Sequence, residues 1–485
     1  MVSGTPRIRS RSPVAGLERA RLSFVQVLGQ SVSAVAPSAV MVTLPALVIP
    51  DAGRATIAVF VAAAILMTAV GYCVGQFATR MVAVSGLYSY IVKGLGAVPG
   101  FAGGWSLLVG YAAAAMASTL GAASYLAALL GRVGLPAGST LIAVLAAIVG
   151  LLALMLMIRG VQLSARIMLA IEVFAIVAAS AALVVAFVQS VREGATPSAG
   201  GAKSGSAVGF AVLLAITSFV GFESAGTVAR EARNPFVTVP RAIRWTPIAL
   251  GVLYVFAAAL QLPEPVRQGV DSLPIVLTLP DPSGAGSSAL SIVMELGITA
   301  SWFACVLGST TALSRTLFAM GREGVVPTVF GRTHHRFHTP HVALAVAMPV
   351  IVAVPVLYLI VSGSSRDVLI GLLAVSAHGY VLAYVLLCVA TPAFLRRIGE
   401  LTRLPLVIGA LAATAMVALV GWAAFSRTYV AGAATAVYVL LMLLGAAVFA
   451  IRARRSPGIG ERMGVYDEAV ADDLLGRYRP WEVRR

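Results

Sequence analysis

The sequence predicts an all-α polytopic membrane protein, and three observations support this fold class. Of the 485 residues, 59% are hydrophobic and 11% are charged, and the mean hydropathy is +0.94. A water-soluble domain of this length would carry about 25% charged residues. The apolar residues also form runs of about 20, each able to cross a hydrocarbon core of about 30 Å. The basic residues are concentrated between alternate runs.

Twelve apolar runs predict twelve transmembrane helices. They fall at 24–49, 54–79, 98–130, 140–158, 165–190, 207–229, 242–262, 288–319, 341–362, 367–394, 404–425 and 429–451. With both chain ends on one side, that side receives most of the 35 lysine and arginine residues, as cytoplasmic loops do. We therefore expect cytoplasmic N- and C-termini and a location in the cell membrane. The net charge of +16 is an orientation signal and not a sign of nucleic-acid binding.

The segments that connect the predicted spans are too short to form a soluble enzyme domain. Residues 1–23 form a basic segment with five arginines and no small-residue cleavage site, so we expect no removable signal peptide. The longest other segments are 191–206, 263–287 and 320–340, followed by a charged cytoplasmic tail at 452–485. Cys73, Cys305 and Cys388 all fall in predicted spans, which gives no support for a disulfide framework.

The sixth span contains the residue that most strongly suggests a functional site. It reads FVGFESAGTVAREARNP over 219–235, followed by VPRAI to residue 243, and places Gly221 and Glu223 in an apolar context. A carboxylate at the centre of a membrane helix costs about 2.5–3.5 kcal/mol on insertion scales, so it should face a cavity or a partner.

Three further blocks accompany this one, and the four together resemble a known family. They are GLYSY at 86–90, GVQLSAR at 160–166 and SRTLFAMGREGVVP at 314–327. In this order they are similar to motifs of the amino acid/polyamine/organocation (APC) transporter superfamily, over residues 24 to about 350. The resemblance implies an amino acid permease with a leucine-transporter-like fold. Residues 24–190 and 207–394 would then form an inverted 5+5 repeat, with 404–451 as two added helices.

Spans 1 and 6 are unlike the others, and they open the two halves of the predicted repeat. Pro37 lies in mid-span and disfavours helical geometry in the residue before it. Interrupted helices at matching positions of two halves indicate a midplane binding site. Half-helix N-termini favour carboxylates and C-termini favour ammonium groups. The alternative is that Pro37 only kinks a packed helix.

The resemblance assigns substrate-binding positions to both interruptions. The first-span positions are Val35, Ala36, Pro37, Ser38 and Ala39, and the sixth-span positions are Thr217, Ser218, Phe219, Val220 and Gly221. The family's usual glycine-rich pattern is replaced by a proline at residue 37, which removes an amide donor from the carboxylate clamp. A polyamine without a carboxylate is therefore an open alternative. Phe219 either covers the substrate or packs as ordinary core.

Coupling and gating residues are predicted from the remaining polar positions. Glu223 is predicted to accept a proton during transport, the alternative being a hydrogen-bonded glutamate that ties span 6 to its neighbours. Glu172, or Glu295, could join a proton relay. Ser309 and Thr310 offer oxygens to Na⁺, the less favoured coupling ion, and exchange without an ion is a third alternative. Glu231 is predicted to pair with a nearby arginine such as Arg315 and close the inner gate.

The favoured function is a secondary active transporter of an amino acid or related amine, working by alternating access. The histidines at 334, 335, 338 and 341 match no zinc site, and no phosphate loop, nucleotide fingerprint or nucleophile triad is present in the sequence. We therefore expect no metal, no cofactor and no enzymatic activity, with a small-molecule substrate and the lipid bilayer as partners. The alternative function is a non-transporting ligand sensor or scaffold. Substrate, coupling ion, direction and oligomeric state are not specified.

Overall fold

The computed structural model describes residues 22–136, 138–160, 165–192, 204–263, 286–424 and 429–464. These residues form fourteen α-helices and no β-sheet. The helices are α1 Phe24–Val35, α2 Pro37–Ala52, α3 Thr56–Ala78, α4 Leu87–Leu95, α5 Ala97–Gly131, α6 Ser139–Ile158, α7 Ala165–Arg192, α8 Gly205–Thr217, α9 Pro235–Gln261, α10 Gly286–Glu323, α11 His341–Ser362, α12 Ser365–Arg397, α13 Arg403–Ala424 and α14 Tyr429–Arg455. A 3₁₀ helix at Phe222–Glu231 follows α8.

The predicted all-helical membrane fold is confirmed. Eleven stretches of the described residues are long and apolar enough to cross a membrane. The first, Phe24–Ala78, has 55 residues. At 1.5 Å per residue it would be about 80 Å long, well over one bilayer thickness. The sequence-based count divides this stretch into two spans, and the structure interrupts it at Ala36 and at Gly53–Ala55. The total of twelve spans and the inverted repeat stay predictions.

Helix α4 was not predicted from the sequence. It contains the GLYSY motif, begins after Gly86 at φ 56°, and ends before Gly96 at φ 94°. Both glycines adopt backbone conformations that side chains disfavour, so they set the two ends of this nine-residue helix. Helix α11 begins and ends at the predicted residues. Helix α9 begins at Pro235, seven residues before the predicted start at 242, and the predicted span 207–229 is divided between α8 and the 3₁₀ helix.

Helices α5 and α12 pack backbone to backbone in the interior. A Cβ added at Gly379 would lie 2.6 Å from the Cα atom of Gly110, so only glycine permits this approach. Small residues at such contacts are typical of helix packing in membranes. The outer surface is apolar instead: Ile65, Leu440 and Leu443 are exposed, as expected of side chains that face lipid. All three cysteines are free and buried.

Helices α1 and α2 and the 3₁₀ helix lie between the other elements. Helix α1 contacts the 3₁₀ helix, α7, α9 and α10, and α2 contacts α7, α8, α9 and α10. The fold therefore surrounds the two interrupted segments with intact helices.

Candidate functional site

The first interruption is a single left-handed residue. Ala36 has φ 56° and ψ 61°, ends α1 and precedes α2. A non-glycine residue in this conformation is uncommon and is a feature of functional sites. Pro37 occupies the first position of α2, where a missing amide hydrogen costs no intrahelical hydrogen bond. The proline therefore starts a half-helix, and does not merely kink a continuous one.

The amide donors at the start of α2 are present, but protein groups already accept from them. The amide of Ser38 donates to Oε1 of Glu172 at 2.7 Å, and that of Ala39 donates to Oγ of Ser301 at 3.4 Å. Ser301 Oγ itself donates to Glu172 Oε1 at 2.9 Å. Glu172 is 3% exposed. The amides that follow Pro37 are therefore engaged by protein side chains, and the effect of Pro37 on carboxylate recognition stays a prediction.

The second interruption lies between α8 and the 3₁₀ helix. After Thr217 the bonding changes to i to i+3: the amide of Ser218 donates to Ala215 O and that of Phe219 to Ile216 O. The following 3₁₀ helix has ten residues, and runs beyond three or four are uncommon except at hinges or strained segments. Gly221 joins the two parts with φ 102°.

The two interruptions meet at the end of α1. A Cβ at Gly221 would lie 2.6 Å from Ala34 O, and one at Gly308 on α10 would lie 2.7 Å from Ala34 N. The hydroxyl of Ser31 donates to Phe222 O at 2.5 Å, and Cys305 Sγ donates to Ala34 O at 3.1 Å. Ala34 is thus enclosed by two glycines, which brings positions 35–39 and 217–221 into one buried region.

Glu223 is fully buried and lies at the centre of a hydrogen-bonded cluster. Its Oε1 accepts from the Tyr111 hydroxyl at 2.9 Å, and its Oε2 accepts from the Tyr384 hydroxyl at 2.6 Å and from the Gly221 amide at 3.1 Å. Tyr111 lies on α5 and Tyr384 on α12. Glu223 therefore connects the interrupted segment to two intact helices, as expected of a glutamate that ties span 6 to its neighbours. Its role as a proton acceptor stays a prediction.

Several buried hydroxyls around the interruptions have no hydrogen-bond partner in the described structure. They include the side chains of Ser218, Thr310 and Tyr254. Phe219 packs edge-on against Tyr254, with ring centroids 5.2 Å apart. These hydroxyls are therefore available to hydrogen-bond a polar ligand in this region.

A cavity of about 540 Å³ connects one end of the bundle to this region. It is lined by Leu22 just before α1 and, further along, by Ser33 and Gly308 beside Ala34. From Phe24 to Ser33 the helix rises about 14 Å at 1.5 Å per residue. The cavity thus reaches from the start of α1 to the first interruption.

Glu231 and Arg315 form an ion pair in the wall of this cavity. Arg315 also donates to Thr227 O at 3.2 Å. The backbone of Leu22 exchanges hydrogen bonds with the same segment, accepting from Arg233 at 2.9 Å and donating to Glu231 O at 2.7 Å. The predicted partners are therefore together, and their role as a gate stays a prediction.

A second ion pair lies toward the other end of α10. Arg132 binds Glu295 through two hydrogen bonds of 3.0 and 2.6 Å, and Glu295 is 1% exposed. Glu295 and Arg315 are about 30 Å apart along α10 at 1.5 Å per residue. The structure does not bring Glu295 to Glu172 or Glu223; it is part of a separate ion pair.

The two predicted Na⁺ ligands lie beside the first interruption. Ser309 Oγ is 3.6 Å from Cys305 Sγ, whose thiol contacts Ala34 O, and Thr310 follows it on α10. Ala175 on α7 is buried against Gly297 of α10. Across the described residues, no group of three or more His, Cys, Asp or Glu side chains is arranged to hold a metal.

Sequence reasoning missed several residues that build the site. They are Gln30, Ser31, Tyr111, Ser224, Ser301, Cys305 and Tyr384. Gln30 and Ser31 carried a usable signal, as polar residues beside the expected break. No sequence signal pointed to Tyr111, Ser301 or Tyr384. They contact Glu172 or Glu223 only because helices that are distant in sequence pack together.

The fold and the site define a class of protein, a multi-pass membrane transporter with interrupted helices. The chain belongs to the amino acid permease family, whose model matches residues 22–449. It is 27% identical over 310 residues to the branched-chain amino acid permease BcaP of Bacillus subtilis, covering 59% of this chain and 64% of that protein. It is 26% identical over 290 residues to the low-affinity putrescine importer PlaP of Escherichia coli, covering 58% and 62%.

These alignments span slightly less than two thirds of each relative's length. Among solved structures, a manganese transporter of Eremococcus coleocola superposes with a TM-score of 0.54 at 14% identity, covering 89% of this chain and 95% of that one. At that identity the likeness concerns the fold alone.

Proposed function

We propose that this protein is a secondary active transporter of an amino acid or a related amine in the cell membrane, with both termini in the cytoplasm. The observation that carries the proposal is the meeting of two helix interruptions at Ala34, Gly221 and Gly308. Interrupted backbone is tolerated at membrane depth where it lines a cavity or a ligand site. Family membership and the substrates named for BcaP and PlaP support the same class of substrate.

The chemistry of the interruptions suits a charged organic substrate. The end of α1 presents the negative end of a helix dipole beside Ala34, and the start of α2 presents a positive end whose amides Glu172 and Ser301 engage. The unpartnered hydroxyls of Ser218 and Thr310 add groups able to donate or accept.

Alternating access is proposed because the cavity opens the region beside Ala34 toward the end of the bundle where α1 begins, while Arg132 and Glu295 are paired toward the other end of α10. Glu231 and Arg315 are paired in the wall of the open cavity. In the proposed cycle they stabilise closure of that end when the cavity narrows, and Arg132 and Glu295 hold the opposite end closed. The first five-helix unit and its partner would rock around the interruptions, and no nucleotide is needed.

Uptake into liposomes tests the proposal. Purified protein is reconstituted, and the accumulation and counterflow of labelled leucine and putrescine are measured with and without a pH or Na⁺ gradient. We expect saturable, protein-dependent movement of at least one of them. Ligand binding without movement in either assay would favour the sensor or scaffold.

Proton coupling is tested by Glu223→Gln. The glutamine keeps an oxygen for Tyr111 or Tyr384 but cannot exchange a proton, so we expect pH-driven uptake to be lost while counterflow is retained. Glu400→Gln, which removes a half-exposed acid at the surface, is the matched control. Unchanged pH-driven uptake in the Glu223 variant would remove this residue from coupling and leave its structural role.

A further inference from the structure

The amides at the start of α2 are engaged by a carboxylate of the protein itself. The family resemblance places the substrate's carboxylate at these amides, but Ser38 N donates to Glu172 at 2.7 Å. Ala39 N donates to Ser301 Oγ, which in turn donates to the same oxygen of Glu172. The protein's own acid thus provides the acceptor oxygen that a half-helix N-terminus favours.

The position of Glu172 is fixed by close packing of two long helices. A Cβ at Gly297 on α10 would lie 2.9 Å from Ala175 Cβ on α7. Ala175 is about one turn from Glu172, and Gly297 about one turn from Ser301. Because glycine is needed for this contact, α7 and α10 cannot approach more closely or slide without a clash. Glu172 is therefore held at α2 by rigid elements and not by a mobile loop.

The surroundings of Glu172 suit a cation better than a second anion. Tyr254, whose buried hydroxyl is unpartnered, lies within electrostatic range of Glu172 and packs on Phe219 of the second interruption. The unpartnered hydroxyl of Ser218 lies in that same interruption, and Glu223 supplies a second buried carboxylate just beyond it. Ammonium groups donate to hydroxyl and carboxylate oxygens alike. A substrate carboxylate, in contrast, would have to displace Glu172 and Ser301 from the amides of Ser38 and Ala39.

We propose that the substrate is an organic amine without a carboxylate group, and that Glu172 is the specificity-determining residue that takes the place of that group. This inference rests on the proposed transport function. The relatives do not decide it, since BcaP is named for amino acids and PlaP for putrescine.

Matched substrates that differ only by the carboxylate test the inference. Liposome uptake is compared for putrescine and ornithine, and for 3-methylbutylamine and leucine. We expect the wild-type protein to prefer each amine over its amino acid by about 100-fold, because the carboxylate of an amino acid must first displace buried Glu172 from the amide of Ser38. Comparable transport of an amino acid and its matched amine would overturn the inference and leave the proposed function intact. Movement of none of the four would refute both.

Two variants of Glu172 separate the effect of its carboxyl group from the effect of filling the hydrogen-bonding site at the start of α2. Glu172→Gln keeps an oxygen for Ser38 and Ser301 but loses the charge, so amine uptake should fall by about tenfold without a gain for amino acids. Glu172→Ala frees the amides, so the preference should shift toward amino acids. Ser180→Ala, two turns further along α7, is the control and should keep the wild-type preference.

An unchanged amine-to-amino-acid ratio in both Glu172 variants would also overturn the inference. If Glu172→Ala fails to fold, ligand-induced thermal stabilisation of the wild-type protein by the same four compounds gives an independent answer. Stabilisation by the amines and not by their amino acids supports the inference, and equal stabilisation contradicts it.

Discussion

A Cβ atom at Gly221 would lie 2.6 Å from the carbonyl oxygen of Ala34, so the two helix interruptions touch without an intervening side chain. Gly221 also has φ 102°, which side chains disfavour. We predict that Gly221→Ala costs about 2 kcal/mol of stability and strongly impairs transport, because it separates the interruptions.

The control for this variant is Gly75→Ala on α3. An added Cβ there has no neighbour within 4 Å, and the residue lies in an ordinary helical segment. Thermal unfolding and liposome uptake are measured for both variants. Equal behaviour of the two alanine variants would show that the contact with Ala34 is dispensable.

The two tyrosines at Glu223 give a second prediction. Tyr384→Phe and Tyr111→Phe each remove one donor from a fully buried carboxylate, and we expect each to lower stability by about 1–3 kcal/mol. Tyr384 should have the larger effect, since its bond is 2.6 Å against 2.9 Å for Tyr111. The double variant should also reduce uptake.

Tyr90→Phe is the matched control for the tyrosine variants. Tyr90 is equally buried, but its hydroxyl has no hydrogen-bond partner, so its removal should change stability little. Thermal denaturation is measured for the two single tyrosine variants at Glu223, for their double variant and for Tyr90→Phe. A loss for Tyr90→Phe as large as for Tyr384→Phe would mean that ring packing, and not hydrogen bonding to Glu223, sets these effects.

The loop at one end of the cavity should loosen in acid. Nδ1 of His334 accepts from the amides of Arg336 at 3.2 Å and Phe337 at 3.3 Å. Desolvation of the ring, and the charges of His335, His341 and Arg336, lower the pKa of His334 below its usual value. The ordered loop therefore binds fewer protons than the open one. Its stability is fully present above about pH 6.5, the ordinary histidine pKa, and is lost as the pH falls below that value through the lowered pKa of His334.

Hydrogen exchange of residues 332–341 measures this loss. After correction for intrinsic rates, exchange should be faster at acidic than at neutral pH. His334→Asn offers an acceptor oxygen that does not titrate in this range, so it should flatten the dependence, whereas His335→Asn should retain most of it. A dependence unaffected by His334→Asn would assign the effect to another group.

The sequence predicted the fold well because membrane insertion imposes strong local rules. Length and apolarity determine where a helix can cross, so the bounds of α5, α6 and α11 were predicted to within a residue or two. Helix α4 was not predicted because it is too short to cross a membrane, and its two ends are set by the backbone conformations of glycines.

The site was predicted less completely, for a physical reason. Pro37 and Gly221 mark the interruptions, because helix disruption is a local property that the sequence carries. The contact of Glu172 with Ser38 joins residues 134 positions apart, and the contacts of Glu223 reach α5 and α12. Such pairings arise from how helices pack, so the sequence indicated that these acids need partners without specifying them.

The ion pair of Glu231 and Arg315 gives a final prediction, about the strength of the proposed gate. The two side chains are 7% and 13% exposed, so solvent screens them poorly, and Arg315 also holds Thr227 O. In a double-variant cycle of Glu231→Gln and Arg315→Gln we expect a coupling energy of about 1–3 kcal/mol in thermal unfolding. The reference is Arg80 with Glu400, which are 28% and 54% exposed and should couple by about 0.5 kcal/mol. Because neutralising either gate residue should weaken closure of the cavity, each single variant should also reduce accumulation more than counterflow. Equal coupling in the two pairs would show that Glu231 and Arg315 act as ordinary surface charges.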